Sequence, residues 1–484
     1  MNFQILTNQE IEQIHQASLW LLSEHGLRFL SGRALQVFAD AGATVDFERQ
    51  IVRIPEALLG KSLGAASGHF RLWERDGKAM LDLQDGQMRG HNVGGCVRVY
   101  DFQTSQTRPA SQQDLEQMTL LIDALDNIHV CRPVVYPAEF PKDKWDIFTA
   151  ATMLQFTTKP YGVSAYSLEN LALILEITGG IAGSLVDLLK RPFIWGSVCP
   201  ESPLSYSNKT AEILMRYAEL GLPLAIAPCP VAGGTSPVTL AGTLVQLNAE
   251  FLAGFVLVQC LRPGIDVKYT ARPLPMNLQS GNATFGAIEM GLMSAALVQL
   301  ARRYRVCSDV YGLGTRAHRL DERAGFEKAF NGLLVGLAGA DLVAAAGLLD
   351  DALTSSPEGL VIDDELLGMI LRAGRGIAVS PETLALEAIR RAGPGGNFLA
   401  DEHTRKFLRQ EHYLPRLIYQ RLTPIEHSPG EADLLQAAQI RARLIWETHP
   451  PPLLPEADRK EIQRILEWLW DEAPSPPGGG LDVQ

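Results

Sequence analysis

The chain has 484 residues, 46% of them hydrophobic and 20% charged, with a formal net charge of −12. That acidity excludes nucleic acid as the main partner, because neutralising phosphates needs a clustered basic face and none occurs. The start lacks the charged opening and unbroken apolar centre of a signal peptide, no apolar run is expected to span a bilayer, and six cysteines stand without CxxC spacing, so a cytoplasmic chain with reduced thiols and no membrane partner is expected.

Thr7-Asn8-Gln9-Glu10 is a capping-box sequence, and Ile11, Ile14, Leu21 and Leu22 give the helix it opens one apolar face. Residues 45–54 and 69–83 alternate as short strands do and 89–101 adds another, so 1–110 reads as an α+β cap. Within it, Gly90-His91-Asn92-Val93-Gly94-Gly95 reads as a glycine-rich hairpin with His91 its one candidate functional group.

From Ser111 the texture becomes apolar strand, polar loop, helix, with strands expected at 128–135, 161–166, 193–199, 222–228, 267–270, 308–313 and 341–346. Their recurrence every 30 to 45 residues or so, each followed by a helical pattern, predicts a parallel sheet wrapped by helices. An eighth strand near 359–362 would close it. The expected fold class is therefore α/β, a (β/α)8 TIM barrel at 111–380, with the N-terminal cap before it, a C-terminal helical extension at 381–473 and a Pro/Gly-rich disordered tail at 474–484. A doubly wound open sheet is the alternative, but no GxGxxG follows a strand.

In such a barrel, ligands meet the loops at the carboxyl ends of the strands. Those loops offer Tyr136, Tyr166, Tyr311 and Phe285 as ring faces for a quaternary ammonium, which π clouds attract without a carboxylate. Arg272, Arg316 and His318 are the groups that could hold a carboxylate on the same ligand. After the strand at 222–228, Gly233, Gly234 and Thr235 form a turn whose glycines permit close backbone approach, leading into a long apolar helix. No HxH, HExxH or GxSxG occurs; Cys199 and Cys229, at the ends of neighbouring strands with Glu201 nearby, are the one arrangement that could hold zinc.

The block Pro230-Val231-Ala232-Gly233-Gly234-Thr235-Ser236-Pro237-Val238-Thr239-Leu240-Ala241-Gly242, with Asn248-Ala249-Glu250, resembles the corrinoid-dependent trimethylamine methyltransferase superfamily. Ala324-Gly325-Phe326-Glu327-Lys328, Leu337-Ala338-Gly339-Ala340-Asp341 and Gly395-Gly396-Asn397-Phe398-Leu399 with His403-Thr404 extend the likeness over nearly the whole chain. The resemblance implies transfer of a methyl group to the Co(I) centre of a corrinoid (cobalamin) held by a separate corrinoid-binding protein, with no metal bound directly. The trimethylamine branch of the family uses pyrrolysine, whereas this chain has only standard residues, so the resemblance implies the branch without it and a small quaternary amine such as glycine betaine; Gly314-Thr315-Arg316-Ala317-His318-Arg319 departs from the family's usual pattern. On that reading Tyr166 and Tyr311 contact the ammonium, Arg272 or Arg316 and His318 the carboxylate, Gly233 to Thr235 shape the corrinoid mouth, and the protein assembles as a homo-oligomer. A zinc-assisted methyltransferase using Cys199 and Cys229, and a barrel that binds without turnover, are the rivals.

Overall fold

The structure is a computed structural model and describes residues 3–92, 94–101, 104–417 and 433–471, so the stretch expected as a tail lies outside the described residues. Eight parallel strands form one sheet: β1 Arg89–Asn92, β2 Ile128–Val130, β3 Tyr161–Val163, β4 Ile194–Val198, β5 Leu224–Ile226, β6 Val267–Ala271, β7 Cys307–Tyr311 and β8 Leu342–Ala346. β1 pairs with both β8 and β2, and the last seam, β2 to β3, closes through the bridge Cys131–Tyr161. There Cys131 N donates to Pro160 O at 3.0 Å and Gly162 N to Cys131 O at 2.9 Å. A helix follows each strand: α1 Gln112–Ala124, α2 Trp145–Phe156, α3 Leu168–Ile181, α4 Asn208–Leu220, α5 Leu240–Leu261, α6 Ile288–Tyr304, α7 Glu322–Ala338 and α8 Pro357–Gly374.

The barrel takes its first strand from the segment read as a cap, which corrects both the boundary at 110 and the eighth strand at 359–362. Residues 359–362 lie in α8, where Pro357 occupies the first turn and the Ser356 side chain accepts from Gly359 N. Arg89-Gly90-His91-Asn92 has no apolar run because its interior-facing side chain, His91, looks into a polar part of the barrel; all four residues are nonetheless buried. Gly90 lets the strand lie close to the loop before β2, since a Cβ there would collide with Asn127 O.

At the amino ends of the strands the barrel is plugged. The hairpin Arg71–Trp73 with Met80–Asp82 brings Phe70, Leu72 and Leu83 against Val130, Trp195, Ala225, Cys307 and Leu342, a separate apolar cluster inside the barrel. With that end closed, a ligand enters from the carboxyl ends. Outside, α5 has the length and composition to cross a membrane, contrary to the expectation that no run does. It is instead a core helix: Glu250 within it is fully buried, and it packs against the N-terminal helix Asn8–Trp20, which opens on the Thr7/Glu10 capping box.

Candidate active site at the barrel mouth

β-strand alternation sends Lys268 and Thr270 of β6, Arg272 just past its end, and Asp309 and Tyr311 of β7 inward. Lys268 Nζ donates to Asp309 Oδ2 at 2.7 Å; Arg272 donates to Asp309 Oδ1 at 2.6 Å and to the Asp309 carbonyl at 2.8 Å. Burial pushes the Asp309 carboxyl up, but Arg272 and Lys268 outweigh it and hold it far below the carboxylate range. Beneath, Lys268 lies 4.3 Å from the Trp195 ring centroid, and His91 stands beside Trp195 with neither ring nitrogen hydrogen-bonded. Burial keeps that imidazole neutral.

Two aromatic groups face one another across the mouth. On the β2/β3 side Tyr136 stacks on Trp145 at 4.9 Å, and near it stands Tyr166, whose backbone N–H donates to Asp146 Oδ2 at 2.6 Å. On the β6/β7 side Tyr311 meets Phe285 at 5.1 Å and carries the Arg272 guanidinium 4.5 Å from its ring centroid. Between them, at the end of β2, stands Arg132. Its backbone is clamped by Asn92, which accepts from Arg132 N and donates to Arg132 O, both at 2.9 Å. Its guanidinium donates to Ser164 Oγ at 2.5 Å and has no carboxylate partner among the described residues. Arg132, Lys268 and Arg272 against Asp309 leave an excess of two positive charges in this part of the barrel.

Cys199 and Cys229 reach the floor of the mouth from the ends of β4 and β5, and both are solvent-exposed. The neighbouring Cys229 sulfur, with Arg132 and Arg272 nearby, lowers the Cys199 thiol to about 7. The Cys229 thiol donates to Ala227 O at 3.2 Å. Glu201, expected beside the thiols, is turned away to accept from Ser207 N at 2.7 Å and Thr210 Oγ1 at 2.8 Å. Among the described residues no group of three potential metal ligands forms.

The structure thus brings Tyr136, Tyr166, Tyr311, Phe285 and Arg272 to one mouth, but not every group expected there. Arg272 is committed to Asp309. Arg316 sits on the rim with Nε 3.9 Å from Asp351, and His318 is 84% exposed and pairs with Asp350 at 2.5 Å. Gly233, Gly234 and Thr235 are exposed on a ridge made by Val231–Ala232 pairing with Leu274–Pro275. Arg132, missed in the sequence, was findable as the one Lys or Arg within the strand expected at 128–135; the strand stops at Val130, which places Arg132 in the loop after it. A cavity of about 650 Å³ lined by Asp126, Asp364, Glu365 and Arg441 lies at the other end of the barrel, away from the mouth.

A family model described as trimethylamine methyltransferase (MTTB) matches residues 1–468. Among relatives, a trimethylamine methyltransferase MttB2 from Methanosarcina mazei is 34% identical over 96% of this chain and 94% of its own. A glycine betaine methyltransferase from Desulfitobacterium hafniense is 30% identical over 95% of each. The crystal structure of the Methanosarcina barkeri monomethylamine methyltransferase MtmB aligns over 97% of this chain and 88% of its own, with a TM-score of 0.53 at 10% identity, a likeness of fold.

Proposed function

The chain belongs to the trimethylamine methyltransferase (MTTB) family, and from that premise we propose that it moves a methyl group from a small quaternary ammonium carboxylate, glycine betaine or a close analogue, to a corrinoid carried by a separate protein. It is a methyltransferase with a TIM barrel. The observation that carries the choice of substrate is the pairing of an aromatic rim with a cationic floor. Rings on both sides can hold a trimethylammonium group without an acid. A bare cation would be repelled by Arg132 and Arg272, whereas a zwitterion offers them its carboxylate, and Arg132 is the guanidinium with Ser164 beside it and no acid of its own.

A corrinoid fits this mouth from above: Gly233 and Gly234 present no side chains, and Val238 on their loop, Leu278 after β6 and Leu353 after β8 are exposed apolar groups at the same end of the barrel. When docked, it supplies a reduced cobalt nucleophile that accepts the methyl. The chain's own residues orient the ligand. Arg132 and Ser164 fix the carboxylate, so one N-methyl carbon points out of the mouth, and the rings exclude water from the nitrogen. No proton donor is needed, because the C–N bond breaks with its electron pair on nitrogen and a quaternary ammonium departs as a neutral tertiary amine. A carboxylate next to the ammonium would stabilise the starting cation more than the charge-dispersed transition state; rings do so less.

The test is methyl transfer from a panel of betaines, choline and trimethylamine to the cognate corrinoid protein. Turnover of a betaine supports the reading, and silence across the panel ends it. Arg132→Met should raise KM for the betaine about 10- to 100-fold, the worth of a lost charged hydrogen bond, and change choline turnover much less. Equal losses for both would remove Arg132 from carboxylate recognition.

A further inference from the structure

Beyond α8 the chain leaves the barrel as an arm, residues 376–411, with helices Leu386–Ala392 and Glu402–Glu411. Polar clips hold it in shape rather than a core. Arg391 pairs with Asp401 at 3.0 Å, Lys406 with Glu382, and at the arm's base Arg372 Nε donates to Glu411 O at 2.7 Å. Of its 36 residues, Ala388 and Phe407 alone are buried, while eight large apolar side chains are exposed, among them Ile377 at 84% and Leu399 at 90%. Side chains of this size expose on the order of 100 Å² each, so together they reach the ~800 Å² per partner that a stable interface needs. A surface of that kind on a preformed arm marks an interaction site.

A second bare surface lies on α7. Phe326, Phe330 and Leu333 follow one another at helical spacing, all exposed, the two rings stacked at 6.4 Å, and from Phe326 to Leu337 no charged residue is exposed on that helix. A solvent-facing helix ordinarily carries charge there. The arm is rooted away from the corrinoid mouth, with both its ends at the amino ends of the strands: Gly376 follows the last turn of α8, and Glu411 is tied to Arg372. A second copy of this chain has what each surface lacks. We propose that the arm packs its apolar face on the Phe326, Phe330 and Leu333 stripe of a second copy, and that a twofold axis beside α7 and α8 makes the exchange reciprocal.

The experiment is sedimentation velocity on the full-length protein and three variants: Leu386→Glu with Ile389→Glu in the arm, Phe326→Glu with Phe330→Glu on the stripe, and Val186→Glu, exposed on the helix Leu185–Lys190, as control. The expected result is a closed oligomer for the wild type and the control, and monomers with an unchanged cooperative melt for both double variants. A monomeric wild type, or a stripe variant that still assembles, overturns the proposal. Where a double variant fails to fold, Leu386→Cys and Phe330→Cys chains are mixed and oxidised: a disulfide joining the two different chains supports the exchange, and self-linked chains alone refute it.

Discussion

Asp309 is the residue on which the floor of the site depends. It is 1% exposed and answers two cations, so removing its charge leaves Lys268 and Arg272 buried without compensation. Asp309→Asn is therefore expected to lose about 3–5 kcal/mol in denaturant unfolding, the cost of breaking a buried pair, while Asp309→Glu retains part of it. Cys199 makes the complementary test of electrostatics. Its thiol is lowered to about 7, first by the neighbouring Cys229 and then by Arg132 and Arg272, so its alkylation by iodoacetamide should rise with a midpoint near pH 7. Cys229→Ala should move that midpoint upward; a midpoint in the ordinary thiol range in the wild type would show that the two sulfurs do not interact. Neither residue could be read in this role from the sequence. A charged side chain inside an apolar strand gives no sign of which neighbouring strand supplies its partner, and Lys268, Asp309 and Arg132 become a group only when β2, β6 and β7 curl onto one interior. The aromatic residues were legible, because a ring at the carboxyl end of a barrel strand has few places to go but the mouth.

Among the elements, seven barrel strands announced themselves as short apolar runs, since a strand buried on both faces has little room for polar residues. β1 did not, for the opposite reason: Gly90 serves a close approach, and His91 points into the polar layer under Asp309. Residues 359–362 looked like a strand because Leu360, Val361 and Ile362 are apolar in sequence; Ser356 and Pro357 decide for a helix. The β2–β3 seam depends on one side chain. Lys159 Nζ donates to Ile122 O at 2.7 Å and to Leu125 O and Ile128 O, each at 2.6 Å, tying the end of α1 and the start of β2 to the turn that opens β3. Lys159→Met would keep the stem and leave Leu125 O and Ile128 O without the ammonium, while Ile122 O keeps its bond from Leu125 N. At about 1–3 kcal/mol for each acceptor left dry, and some water reaching them, a loss of roughly 3 kcal/mol is expected in urea unfolding. A change within about 0.5 kcal/mol would mean that water replaces the ammonium fully.

Across the whole molecule, the C-terminal helices explain how a barrel with so thin a seam stays shut. β6 and β7 pair along four residues, whereas β2 and β3 meet at one bridge. To one side of that weak joint, Leu434–Thr448 packs on α8 and α1, with Trp446 Nε1 donating to Gln117 O at 3.0 Å and His449 paired with Asp123 at 3.0 Å. Glu456–Asp471 continues onto α2 and α3, burying Ile462, Ile465 and Leu469. The chain's last described elements thus span the helices on both sides of the seam, as a strap would. Cooperative units of different stability within one fold exchange their amides at different rates. Placing charge under the strap, as Ile465→Asp with Leu469→Asp, should therefore accelerate hydrogen exchange at Cys131 and Gly162 well before it does so at Thr270 and Val310 in the β6–β7 pair. Uniform acceleration around the barrel would instead make the sheet a single unit, and the strap would then stabilise the fold as a whole without guarding any one joint.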